Sequence, residues 1–240
     1  FMKSQIHVLI ISTFLLMSGF LVGQPKISVD LGMGFYEPTL SGFDENESVQ
    51  FPTKGFFNRN LMINWGVYYE FFNNARIGYN SFTSYEIGKN LSLPNSSAIF
   101  RRSLVYRMFP VETYFRWRPN IELNFTLAPI WGRGRIEMDT TPGDKTEDWN
   151  YFINSFGGDP DPVEDMGATD VMISDWFGYS SMLGLRYYIS SRMAVDLKGG
   201  FMNNFYKNDK WRVQRQPITG PKMNINELPI FSLKFVYGLR

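Results

Sequence analysis

The strongest constraint in this sequence is a period of two. From residue 27 to 35, Ile27, Val29, Leu31, Met33 and Phe35 alternate with Ser28, Asp30, Gly32 and Gly34. Successive residues of a strand point to opposite faces, so such a run is a strand with one apolar face. The same alternation returns in 61–71, 121–131, 193–201 and 231–239. Across these five segments, 25 of 27 positions of one parity carry a large apolar or aromatic side chain, with Pro129 and Gly199 the two departures. A helix would repeat its apolar positions every three or four residues, and that spacing is missing here.

Three weaker segments, 75–87, 102–117 and 177–189, bring the predicted strands to eight. The segment 102–117 is irregular. With a single phase, either Arg107 or Glu112 would face outward with the apolar set, and an arginine at mid-bilayer costs ~2–4 kcal/mol. A bulge at Phe109–Pro110 would flip the phase by one residue, and bulges tolerate proline. This predicts Leu104, Tyr106, Met108, Val111, Thr113 and Phe115 on the outer face, with Arg107 and Glu112 inward.

The connections alternate as regularly as the residues. Short ones (Phe72-Asn73-Asn74, Arg118-Pro119-Asn120, Ser190-Ser191-Arg192) separate long ones at 37–59, 88–99, 137–176 and 203–228. Short periplasmic turns and long external loops are the rhythm of a transmembrane barrel, whose tilted strands of ~9–11 residues cross the hydrocarbon. Aromatic residues gather near the predicted strand ends (Tyr36, Tyr69, Phe71, Trp117, Trp131, Phe177, Tyr187, Tyr188, Phe201, Tyr237), as in interfacial girdles. Upstream, Lys3 precedes an apolar run from Ile6 to Val22 that ends in small residues, the layout of a secretory signal peptide. The expected organisation is therefore a cleaved signal over 1–24 and one all-β domain over 25–240. That domain is an eight-stranded antiparallel up-and-down transmembrane β-barrel in the outer membrane. A soluble periplasmic barrel with an inward apolar face and a lipid pocket is the alternative.

The chain at this point resembles the small eight-stranded outer-membrane barrels of Gram-negative bacteria, the outer-membrane β-barrel domain family. The resemblance covers 25–240. It rests on the architecture and on a proline-bearing fourth strand, Tyr106–Trp117, that leads through Arg118-Pro119-Asn120 into the fifth. It implies contact with outer-membrane lipid and lipopolysaccharide, and with the barrel-assembly machinery during biogenesis. That machinery reads a terminal aromatic residue, whereas this sequence closes on Tyr237-Gly238-Leu239-Arg240. Either Arg240 is not the true end, or Tyr237 and Leu239 serve instead.

Composition narrows the chemistry. Cysteine is absent and the one histidine, His7, lies inside the signal-like run. The outer-membrane lipases, proteases and acyltransferases that the resemblance brings to mind depend on histidine, so the expectation is a non-enzymatic protein with no catalytic, cofactor-binding or metal site. Asp30 with Glu122 is the best carboxylate pair available, and ion pairing explains both residues equally well. Lysine and arginine total 24 against 23 acids, so no charge excess points to nucleic acid. Gly32-x-Gly34 and Gly132-Arg133-Gly134 lack the strand–loop–helix setting of a phosphate loop.

The expected inward set holds five acids (Asp30, Glu70, Glu112, Glu122, Asp196) and five bases (Arg76, Arg107, Arg186, Lys198, Lys234). Eight strands leave an interior just wide enough for side chains to fill, so an ion-pair plug is expected, with a narrow porin-like channel as the alternative. The loop 137–176 carries eleven acids against Lys145 alone, and 203–228 five bases against Asp209 and Glu227. The cluster Asp159, Asp161, Glu164, Asp165 offers oxygen ligands for calcium without EF-hand spacing, and a solvated mobile acidic loop is the simpler expectation. Loop aromatics (Trp149, Tyr151, Phe152, Phe156, Trp211) are expected to pack on one another. The functional expectation is a plugged barrel whose surface loops bind or assemble, with another envelope protein as a further partner.

Overall fold

A computed structural model of the chain describes residues 26–36, 39–41, 49–50, 61–90, 99–139, 145–157, 163–164, 167 and 170–239, with backbone alone at 39–41, 49–50 and 86–90. The predicted signal segment lies outside the described residues. Eight long strands form the fold. They are β1 (Ile27–Tyr36), β2 (Leu61–Phe72), β3 (Ala75–Asn90), β4 (Ile99–Met108 continuing as Val111–Arg118), β5 (Ile121–Asp139), β6 (Met172–Tyr188), β7 (Met193–Asn204) and β8 (Leu228–Leu239). Each pairs antiparallel with its sequence neighbours, and β1 pairs with β8 from Ile27↔Leu239 to Tyr36↔Ile230, which closes the sheet into a barrel. Closure pairs the first and last barrel strands, so neither presents a free edge along that seam.

The short turns explain the hairpins. Asn74 sits at φ 64°, a left-handed conformation that asparagine tolerates, and a register shift between Glu70 and Phe72 accommodates it. Ser190 Oγ accepts from the Met193 amide at 3.1 Å and stabilises the β6–β7 turn.

The outer face is the apolar one. Leu31, Ile63, Leu183, Leu233 and Phe235 are exposed, while the alternate positions Asp30, Asn64, Glu122, Asp196 and Lys234 are buried. On β5 the apolar outward run goes from Ile121 to Trp131. Ten steps of about 3.3 Å, tilted by about 40°, rise about 25 Å, the height of the apolar band of a transmembrane barrel. This excludes the soluble barrel with an inward apolar face.

The predicted bulge does not exist. The register of β4 against β5 continues from Met108↔Ile130 to Val111↔Leu127, and against β3 from Asn80↔Met108 to Ile77↔Val111, with no residue inserted. Proline interrupts the hydrogen bonds and leaves the phase intact. Phe109 donates its amide to the Pro129 carbonyl at 3.1 Å, Pro110 accepts from Gly78 at 2.9 Å, and neither proline has an N–H to return. Consequently Glu112 faces inward as expected, while Leu104, Tyr106 and Met108 also face inward, buried, and Arg107 faces outward. The physical reason is that the external half of the lumen is apolar. Tyr36 and Tyr188 likewise leave the predicted girdle, since both project inward.

The strands outrun the bilayer on the external side. β5 extends to Asp139 and β6 resumes at Met172, so the expected loop 137–176 shortens. Within it lies α1 (Lys145–Asn154). Trp211–Val213 and Gln216–Ile218 form a hairpin that joins β6 at Arg212↔Ile173, and Lys222–Asn224 pairs with Thr39–Ser41.

Candidate functional site: a lumen filled in two layers beneath a packed cap

The periplasmic half of the lumen is ionic. Glu112 on β4 has no exposed surface and receives three cations. Arg76 Nη1 donates at 2.7 Å, Arg186 Nη2 at 3.2 Å, and Lys198 Nζ makes a short contact to the second oxygen. Arg76 also holds Glu122 through both nitrogens, at 2.7 and 2.8 Å, and lies 3.9 Å over the Tyr114 ring. Arg186 grips Asp196 at 2.7 Å, and Tyr188 donates to Glu122 at 2.6 Å. Lys234 meets Asp30 at 3.1 Å across the seam between the last and first strands. Four buried carboxylates thus face four buried cations. Of the ten expected inward charges, eight form this network. Glu70 is partly buried at its edge, accepting from Tyr114 at 2.8 Å, and Arg107 is outside the barrel. Asp30 and Glu122 have separate cation partners, so they are not a carboxylate pair.

The external half is a plug of rings and thioethers. Tyr36, Met62, Phe82, Tyr106, Met108, Trp176, Met182 and Met202 form one buried cluster with Leu104, Ile130 and Ile230. The inward glycines are required by these rings. A Cβ on Gly132 would sit 2.1 Å from Trp176 Nε1, and one on Gly134 would sit 2.9 Å from the Trp211 ring. Alternation alone did not find this layer, because its apolar residues have the parity expected of polar ones. The extra signal was the run of tyrosines, methionines and tryptophans at even positions opposite glycines.

Above the plug is a second apolar core. Trp149, Phe152 and Ile153 of α1 pack with Phe100, Met138, Met172, Val163, Trp211 and Ile218. Asn150 accepts from and donates to the Val163 backbone at 3.0 and 2.8 Å, fixing the segment after the helix. The expected packing of loop aromatics holds for Trp149, Phe152, Phe156 and Trp211, whereas Tyr151 is exposed. The acidic loop is therefore partly folded, contrary to expectation. Asp159, Asp161 and Asp165 lie outside the described residues.

A small cavity of about 20 Å³ opens at the periplasmic mouth between Arg76, Arg186, Tyr188 and Arg192. It holds about one water molecule. The arrangement as a whole excludes solvent and pairs its charges. The Thr126 hydroxyl donates to Glu112 at 3.2 Å and accepts from Lys198 at 2.9 Å, buried within the ion-pair network.

No family model matches the chain, and no curated protein matches it. Solved structures of outer-membrane barrels do. The outer membrane protein OprG from Pseudomonas aeruginosa is 10% identical, with a TM-score of 0.48 over 89% of this chain and 95% of that one. Neisserial surface protein A is 11% identical, with a TM-score of 0.46 over 89% and 97%. Ail, the attachment invasion locus protein of Yersinia pestis, is 10% identical, with a TM-score of 0.41 over 89% and 98%.

Proposed function

We propose that this chain is a non-enzymatic outer-membrane barrel whose lumen is sealed and whose external cap is the working surface. The observation that carries this reading is the filling of the lumen in two successive layers, ionic below and aromatic above, roofed by α1 and the 211–218 hairpin. The apolar outer belt supports insertion in a bilayer, and the histidine-free barrel supports the absence of hydrolase chemistry. The cap is folded rather than loose, which suits a surface that binds a ligand or docks another envelope protein. Lipopolysaccharide would surround it, and the assembly machinery would engage its last strand during insertion.

The test is conductance. Refolded protein in planar bilayers should give no steady channel, and a reproducible conductance would replace the sealed barrel with the narrow pore. Turnover of a lipid or peptide substrate that disappears with Glu122→Gln would overturn the non-enzymatic reading.

A further inference from the structure

On three neighbouring strands the continuous apolar belt stops at Phe109, Trp131 and Phe177 of β4, β5 and β6, with Val105 and Ile173 as outward apolar residues beyond it. The next outward residues are Arg107, Arg133 and Asp175. Arg107 pairs laterally with Trp131, and Arg133 with Val105 and with Asp175. Arg107 and Arg133 are thus diagonal neighbours, about 7–8 Å apart at Cα. Further out, Arg135 and Arg101 continue the stripe.

The charges do not cancel. Asp175 is shared by Arg133 at 2.7 Å and Arg212 at 3.4 Å, and Glu137 by Arg135 at 2.6 Å and Arg101 at 3.9 Å, with Asp139 also on Arg101 at 3.6 Å. Arg107 has no partner among the described residues, which leaves five guanidinium groups against three carboxylates. Asp175 binds Nε and Nη2 of Arg133 and accepts from Trp131 Nε1 at 3.2 Å, so it fixes one edge of that guanidinium and leaves the Nη1 edge open. An outward arginine at the edge of an apolar belt that no carboxylate engages is available to an anion, and guanidinium is the side chain best matched to phosphate oxygens.

From this geometry we propose that Arg107 and Arg133, flanked by Arg135 and Arg101, form a binding site for the phosphate of an outer-leaflet lipid whose acyl chains lie along Phe109, Trp131 and Phe177. A lipid fits better than a soluble polyanion, because Arg107 is level with the tryptophan of the belt. This inference rests on the membrane reading above.

The full barrel would be reconstituted in phosphatidylcholine vesicles containing bisphosphorylated lipid A, dephosphorylated lipid A or phosphatidylglycerol. It would then be re-extracted in mild detergent and its co-purifying lipid measured by mass. Bisphosphorylated lipid A should be retained about tenfold above its dephosphorylated form, and Arg107→Ala with Arg133→Ala should abolish the difference. Arg107→Lys should keep part of it, Arg118→Ala on the opposite rim should keep all of it, and 50 mM inorganic phosphate should not compete. Equal retention of phosphatidylglycerol, lost in the same double variant, would assign the site to phospholipid phosphate generally. Equal retention of the two lipid A forms, or retention unchanged in the double variant, would overturn the proposal. Unheated and heated gel mobility of each sample reports barrel insertion separately. A barrel that shifts on boiling yet shows no phosphate preference sinks only the site, whereas one that never inserts sinks the membrane reading.

Discussion

Glu112 is the side chain that most of the lumen leans on, since Arg76, Arg186 and Lys198 all converge on its two oxygens. Removing its charge leaves buried cations uncompensated, which costs about 3–5 kcal/mol. Glu112→Gln is therefore expected to lower the denaturant midpoint of the refolded barrel strongly, with Glu122→Gln close behind. Arg107 should behave in the opposite way. It faces outward without a partner, so Arg107→Ala is expected to move the midpoint by less than about 0.5 kcal/mol, the range of ordinary surface substitutions. A large drop would place its side chain inside after all. The two residues also mark how far the sequence could be read. Nine of the ten expected inward charges do point inward, because a charge on the lipid side is costly. Arg107 misled because that cost fades at the interface, and the sequence does not mark where along β4 the belt stops.

Strand parity was legible wherever one face was uniformly apolar, as in β1, β2, β7 and β8. In β4 it was not, because both faces are apolar over part of the strand and because a proline fits an inserted residue and an uninterrupted register equally well. Pro110 and Pro129 instead remove donors from opposite strands without moving the register. The glycine of β5 beneath Trp176 offers a sharper check on the aromatic layer. Gly132→Ala places a methyl group where the indole nitrogen now lies, and overpacking of this kind costs about 1–3 kcal/mol. The near-ultraviolet circular dichroism of the barrel should change with it, and an unaltered spectrum would argue against the inward position of Trp176. In α1, the helical period was hidden inside an acidic stretch, where charge suggested solvation. The buried apolar residues Trp149, Phe152 and Ile153 lie on one face by their spacing. Trp149→Ala should expose α1, residues 145–154, to protease while the heat-dependent gel shift of the barrel persists, because the cap and the lumen have separate buried clusters.

The molecule as a whole has three stacked interiors between its periplasmic turns and its external surface: ions, rings, then the cap. Each closes the path below it, which is why conductance is the decisive measurement and why no steady current is expected. Yet the ionic layer does more than block solvent. Its members come from β1, β3, β4, β5, β6, β7 and β8, and Asp30 meets Lys234 only across the seam that joins the last strand to the first. While the sheet is still open, Asp30 on the first strand has no Lys234, and Glu112 lacks the lysine that reaches it from across the barrel. A half-wound sheet lying in lipid would present these charges with their partners missing. Insertion and cyclisation must then occur together. A chain stalled before its eighth strand should remain outside the hydrocarbon, so the ion pairs make completion of synthesis a precondition for entering the membrane.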